Sequence, residues 1–260
     1  MDVTARDADL ADAIRDNFRA QVLAIGHLAP RGAVLVTDHV IASHVGTRSV
    51  FNRATALDAD QPDLALSAIE RFFGPHRHSI WVDGESADAL DPSLRARGYI
   101  LLGHQAGMAG TGVPPPPDHP HVELLADPAL ATAAGQVAAS GYGLGFEDRI
   151  VLEDLCRAVL RHAKPFDRGA VYAVREHGAM VAMGLLMCTP GVAGMVGLST
   201  VPERRHQGLG SAVARRAFHD AAALGYGVAG AIANPESSDL LGDLGLRPVA
   251  GFRVYRQASL

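Results

Sequence analysis

Residues 198–225, LSTVPERRHQGLGSAVARRAFHDAAALG, constrain the fold more than any other stretch. An apolar strand ends at Thr200 and Val201, and Pro202 interrupts any ladder. Arg205, His206, Gln207, Gly208, Leu209 and Gly210 then lead into an Ala-rich run that composition makes a helix. A strand that turns into a helix through glycine sets unpaired helix N–H groups, and the positive end of the macrodipole, at the strand's end. Such ends bind anions. Gly208 and Gly210 lack a Cβ, so a pyrophosphate can approach the backbone, and Gly208 is free to take a positive φ in the turn. Ser211 adds a hydroxyl donor, while Arg204 and Arg205 set two guanidinium groups beside the mouth. A glycine pair ahead of a helix is by itself equally consistent with a tight strand-to-helix turn.

The longer pattern Val-Pro-Glu-x-Arg-x-x-Gly-x-Gly at residues 201–210 resembles the acetyl-CoA binding motif of the GNAT (Gcn5-related) N-acetyltransferase superfamily. The resemblance implies that the loop amides from Arg205 to Ser211 hold the CoA pyrophosphate. It also implies that Leu198, Ser199 and Thr200 pair with pantetheine. It continues downstream: a strand at 228–233 ends at Asn234, which is carried into the same donor site, and Leu244-Gly245-Leu246 stands where the family usually has Leu-Gly-Phe. The family often places shortly before that motif a tyrosine whose phenol protonates the leaving thiolate; here the position is Leu241, which has no proton to give. His206 lies in the phosphate loop and is assigned to binding. Tyr226 and Tyr255 are conceivable acids, with packing the better reading of both.

Composition narrows the class. With 48% hydrophobic and 20% charged residues over 260 positions, the chain can bury a sizeable core and is long enough for two domains. A net charge of −5 gives no basic footprint, so no nucleic-acid partner is expected. Cys156 and Cys188 cannot build a disulfide framework and suit a reducing, cytoplasmic setting. The first residues lack the basic and apolar regions of a secretory signal. Residues 179–198 carry no charge, but Thr189-Pro190-Gly191 breaks them into two buried strands, so no membrane span is expected. His119 and His121 have no third ligand at suitable spacing, and no metal is expected.

Residues 5–24 space Leu10, Ile14, Phe18 and Val22 as an amphipathic helix. Strands follow at 32–36, 40–43, 49–54, 79–82 and 98–102, with helices at 63–73 and 90–97. Residues 107–121 are almost all Gly, Pro and small or polar residues, with four consecutive prolines that favour an extended spacer. The expected organisation is therefore 1–108, a linker at 109–121, and 122–260. In the second half, helices are expected at 128–139 and 152–163 around a glycine loop at 141–146. A hairpin follows at 170–174 and 181–187, then a strand at 193–200 and a last strand at 251–255.

The order of elements recurs. Residues 32–39 parallel 169–177, and 94–99 parallel 241–246, which suggests a duplicated domain. The copies differ between the third strand and its helix. Residues 55–62 have no glycine and two aspartates, which satisfy the helix dipole themselves and repel a pyrophosphate. The fold class expected is thus α/β with an α+β type mixed sheet: two tandem GNAT-like domains, each a mixed, mostly antiparallel sheet flanked by helices. The first is degenerate and keeps structural roles: packing, shaping the acceptor cleft, or a homodimer contact.

The function implied is N-acyl transfer from acetyl-CoA or another acyl-CoA to a small-molecule amine that attacks the thioester directly. Glu147, beside Asp148 after the glycine loop, is the candidate base, with an acid pair at a helix N-terminus as its other reading. Glu176 and His177 read as a hairpin tip. Two alternatives stand beside this one: a CoA-binding regulatory or structural protein without turnover, and transfer from a carrier-protein-bound acyl group.

Overall fold

The computed structural model describes residues 3–112, 121–161 and 169–258. The first half runs α1 (Val3–Leu28), β1 (Ala33–Val36), β2 (Ile41–His44), β3 (Arg53–Thr55), α2 (Pro62–Phe73), β4 (Ser79–Asp83), α3 (Ala87–Ala96) and β5 (Tyr99–Gly110). The second runs β6 (Val122–Leu124), a 3-10 turn (Pro128–Leu130), α4 (Ala131–Tyr142), α5 (Phe146–Leu160), β7 (Gly169–Glu176), β8 (Ala179–Thr189), β9 (Val192–Met195) and β10 (Ser199–Thr200). A 3-10 turn (Pro202–Arg204), α6 (Leu209–Ala223), β11 (Val228–Ala233), α7 (Pro235–Asp243) and β12 (Arg247–Gln257) complete it.

All described strands belong to one mixed, mostly antiparallel sheet of order β1-β2-β3-β4-β12-β5-β11-β9-β8-β7-β6, with β10 on β8. Two of its strand pairs are parallel, β3 with β4 and β9 with β11. The halves exchange strands at the centre. β12 lies between β4 and β5, and β5 lies between β12 and β11. β5 continues through Gly110, past the expected start of the linker at 109, and pairs Ala109 with both Arg247 and Gly230. The rest of the expected linker at 113–120, including His119, lies outside the described residues, as do residues 162–163 of the helix expected at 152–163.

Strand alternation sorts the core into two helical layers. Ala170, Tyr172 and Val174 of β7 meet α6, while Val171 and Ala173 meet α4 and α5, so the strand is buried on both faces. α1, α4 and α5 cover one face; α2 and α3 in the first half, and α6 and α7 in the second, cover the other. Gly98 and Gly245, each closing the turn between a helix and a long strand, have φ of 80° and 84°.

Three local expectations needed correction. The strand expected at 49–54 is confined to Arg53–Thr55, because the preceding residues form a turn in which Asn52 binds the Val45 N–H and the carbonyls of Gly46 and Arg77. Residues 141–142 belong to α4, which Gly143 ends in the left-handed region at φ 64°. α5 starts earlier than expected, at Phe146, with Glu147 and Asp148 in its first turn. No helix among the described residues is long and apolar enough to cross a membrane.

α1 crosses the sheet over the exchanged strands, and its Leu10, Ile14, Phe18, Val22 and Ile25 are all buried. Its approach depends on small residues beneath it. A Cβ on Gly230 of β11 would lie 2.2 Å from Ile14 Cδ1, and one on Gly107 of β5 2.9 Å from Ile14 Cγ2. On Gly194 of β9 it would lie 2.0 Å from Asn17 Oδ1. Asn17 in turn donates to the Met187 carbonyl at 3.2 Å and to Thr189 Oγ1 at 3.0 Å, tying α1 to β8.

Gly230→Ala should therefore destabilise the protein by about 1–3 kcal/mol in urea unfolding, the usual cost of overpacking a core. Paired with Ile14→Ala, the loss should be smaller than the sum of the two single losses, since the new methyl then occupies vacated space.

Candidate active site

The site forms where two parallel strands part. β9 and β11 stay paired from Val192↔Val228 to Met195↔Ala231. Beyond that, β11 continues against β5 alone, and the other strand passes an irregular stretch at 196–198 before resuming as β10 on β8. Ser199 pairs with Met183, and the Val201 N–H donates to the Val181 carbonyl at 3.0 Å, so the polar groups of Ser199 and Val201 face β8. Alternation then turns those of Leu198 and Thr200 toward the gap.

The glycine turn at 206–208 that opens α6 stands at the end of this gap. His206 and Gly208 both adopt positive φ, 59° and 76°, and α6 opens immediately afterwards. The first bond closing the helix runs from the Ala212 N–H to the Gly208 carbonyl at 2.9 Å, so the N–H groups of Leu209, Gly210 and Ser211 precede any intrahelical acceptor. Arg205, His206, Gln207 and Gly208 are exposed, and a Cβ on Gly208 would meet no atom within 4 Å. Leu209 is buried and anchors the helix start.

The side chains around the turn depart from expectation. Arg204 pairs with Glu176 of the hairpin, and Arg205 donates to the Gly141 carbonyl at the end of α4. Arg215, outside the motif at 201–210, reaches back one turn toward Ser211 Oγ at 3.4 Å and to the Asp243 carbonyl at 3.2 Å. It holds a cation near the open helix end; its i,i+4 spacing from Ser211 was the available signal. Ser199 turns its hydroxyl away from the gap, onto the carbonyls of Val137 at 3.1 Å and Ala138 at 3.4 Å. Asn234 caps α7, accepting from the Ser237 N–H at 2.8 Å.

Leu241 is 3% exposed and packed in the core beneath α6, where a hydroxyl would be buried. The phenol that does reach the gap is Tyr142, whose hydroxyl donates to the Leu198 carbonyl at 2.8 Å. Burial raises its pKa, with the Leu198 bond and the nearby Arg53 charge acting the other way. Tyr226 and Tyr255 stand elsewhere: Tyr226 contacts Cys188, and Tyr255 donates to Asp91 at 2.9 Å in the core of the first half. Burial pushes the Cys156 thiol up to about 12 and Cys188 up to about 11, so neither is a ready nucleophile at neutral pH.

Neither a protein-family profile nor a curated protein matches the sequence. Solved structures do match. The chain is similar to the GCN5-related N-acetyltransferase from Kribbella flavida, with a TM-score of 0.72 at 20% identity, covering 96% of each chain. It is similar also to the GCN5-related N-acetyltransferase from Sphaerobacter thermophilus, with a TM-score of 0.57 at 13% identity over 86% of this chain and 75% of that one. A tandem GNAT protein from the clavulanic acid biosynthesis pathway matches at a TM-score of 0.50 and 11% identity, covering 88% and 83%. The chain has the GNAT fold.

Within that fold, Glu147 joins the two halves. Its carboxylate accepts from the Arg48 N–H at 3.0 Å and Thr47 Oγ1 at 2.9 Å, both on the loop after β2, and those bonds hold its pKa below the usual value. Asp148, 7% exposed, accepts from Ser49 Oγ at 2.7 Å and the Val50 N–H at 2.9 Å. The lone pairs expected to take a proton from the acceptor are thus engaged in fastening α5 to the first half.

The first half of the GNAT fold repeats the parting strands but closes them. Past Ala54↔Ile80, Thr55 Oγ1 donates across to the Trp81 carbonyl at 3.1 Å. Asp58 pairs with His39 at 2.9 Å and Asp63, in the first turn of α2, with Arg97 at 2.9 Å. Beside this seam lies a polar pocket of about 270 Å³, where Arg15 is tied to Asp12, Asp83 and Glu85. Among the described residues no group of three or more His, Cys, Asp or Glu is arranged to hold a metal.

Glu147→Gln should lower stability by about 0.5 kcal/mol near neutral pH, a small figure because the pair is open to solvent. The sign follows from linkage. The folded pKa lies below the ordinary 4.5, so the stabilisation is present above 4.5 and disappears as pH falls through the folded value. Thermal midpoints of the two proteins should differ at neutral pH and converge well below pH 4.5.

Proposed function

We propose that the second half transfers an acyl group from acetyl-CoA, or another acyl-CoA, to the amine of a small-molecule acceptor. The observation that carries this reading is the parting of β9 and β11, which turns the polar groups of Leu198 and Thr200 into a gap ending at the open amides of α6. In it the amides from Arg205 to Ser211 receive the diphosphate, supplemented by Arg215, and pantetheine lies along Leu198 and Thr200. The amine attacks the thioester carbonyl, the tetrahedral intermediate expels the CoA thiolate, and the amine's surplus proton passes to solvent water. Tyr142, about half exposed and with its phenol pKa raised above the ordinary value, gives its proton to the thiolate and replaces the phenol that Leu241 cannot supply. The elevated thiol pKa values favour direct attack over an acyl-cysteine intermediate. The proposal includes two GNAT-like units, 1–108 and 122–260, acting in the cytoplasm, a setting supported by two unpaired cysteines.

Two variants test it. Gly208→Asp keeps a residue type tolerant of the left-handed region but sets a carboxylate where the diphosphate would lie. Calorimetric binding of acetyl-CoA should be lost with the circular dichroism spectrum unchanged; unaltered affinity would refute the diphosphate assignment. Tyr142→Phe should lower kcat by about tenfold to a hundredfold, with KM for acetyl-CoA unchanged. Acetyl-CoA binding without release of free CoA from any amine would favour the alternative of a CoA-responsive protein without turnover.

A further inference from the structure

In the first half, Arg53 carries a charge that no carboxylate among the described residues meets in an ion pair. Arg53 alternates along β3 with Ala54, which is buried toward α2, so the arginine projects to the face covered by α1, α4 and α5. Its guanidinium carbon lies 5.3 Å from the Phe51 ring centroid and 4.9 Å from that of Trp81, and Nε donates to the Val50 carbonyl at 3.1 Å. Among the described residues no carboxylate comes within 4 Å of it. Arg15 and Arg97, by contrast, each meet two or more acids.

The acid whose field Arg53 feels is Asp148, already engaged by Ser49 and Val50. Burial draws the Arg53 pKa down to about 10, which leaves the group fully charged at neutral pH. The cation is thus held by two rings and one carbonyl, and among the described residues its two terminal nitrogens have no protein acceptor. It is also close enough to Tyr142 for each to shift the other's titration, and Tyr142 touches the Leu198 carbonyl in the gap. Tyr142 is 46% exposed, and Phe146, four residues further on at the start of α5, is 70% exposed.

We propose that Arg53 receives a carboxylate of the acceptor, so that the acceptor is an amine bearing a carboxylate, of the amino-acid class, with its apolar part against Tyr142 and Phe146. A planar guanidinium fixed by stacking presents its outer edge as a fork for bidentate binding of such a group. The proposal rests on the acyltransferase reading for the identity of the amine, while the carboxylate site stands on Arg53 itself. The first half then contributes specificity to a reaction whose donor is held by the second.

The test compares amino acids with their carboxamides as acceptors, and N-acetylphenylalanine with N-acetylphenylalaninamide as ligands. Wild-type protein should favour the acid over its amide by at least about tenfold in kcat/KM, as expected for a charge-assisted pair. Arg53→Gln should bring that ratio close to one by raising KM for the acid, with KM for acetyl-CoA unchanged, and Arg53→Lys should retain part of the preference. A loss shared equally by acid and amide would mark a merely structural role and overturn the proposal. Saturation-transfer NMR with the N-acetyl pair decides it without turnover. A signal for the acid that exceeds the amide's and disappears in Arg53→Gln supports the site; equal signals, or none from the acid, overturn it. Absence of acetyl-CoA binding would instead remove the acyltransferase reading, leaving the acid–amide comparison to judge Arg53 alone.

Discussion

Reciprocal pairing of β5 with β12 is the interaction on which the rest of the molecule depends. A strand inside a sheet must satisfy N–H and C=O groups on both sides, and unpaired edges are costly or adhesive. β4 finds its second partner in β12 and β11 finds one in β5, so each half is closed by a strand that the other half supplies. The two strands pair with each other from Arg247↔Ala109 to Gln257↔Tyr99. Removing either one would expose edges in both halves at once, which makes the chain one cooperative sheet despite its internal repeat.

That central seam also explains the glycines. A helix laid over strands from both halves fixes their relative position only if it comes close, and α1 does so over Gly107, Gly194 and Gly230, one on each of three strands. Burial of five large apolar side chains on α1 contributes on the order of 1.5–3 kcal/mol for each. The close approach also brings Asn17 within reach of the backbone of β8. Small residues in these strands therefore serve packing, whereas Gly208 serves a turn.

The sequence patterns made some of this legible and hid the rest for physical reasons. The glycine turn into α6 was readable because a strand, a glycine turn and an Ala-rich helix are local, and the β7–β8 hairpin because His177 and Gly178, at φ 50° and 84°, form a two-residue turn. The strand exchange was not readable: nothing within residues 247–257 names its partner, since pairing across the sheet is non-local. The far end of β5 is hidden because Gly103, Gly107 and Gly110 look like loop residues, although all three lie in paired strand. Arg204 and Arg205 were assigned to phosphate by proximity in sequence, but Glu176 and the Gly141 carbonyl, distant along the chain, engage them. Tyr142 was hidden for a similar reason, since the turn that ends α4 brings it to Leu198 only in three dimensions.

The same device, a parallel strand pair that parts at its end, occurs twice, and the difference between the copies is chemical. In the second half the parted strands leave main-chain groups of Leu198 and Thr200 without a neighbouring strand, a state that a substrate with its own amides can relieve. In the first half Thr55 supplies a side-chain donor across the same opening, and Asp63 in the neighbouring helix start pairs with Arg97, so the opening is bridged. A closed copy is a firmer support than an open one. Because Glu147 and Asp148 fasten α5 to the loop at 47–50, that firm half is clamped against the helices bordering the open gap. β3 follows that loop, and Arg53 at its start donates to the Val50 carbonyl of the same clamp. The bridged opening of the first half and the clamp at 47–50 thus serve one end: they hold the helices that border the opening of the second.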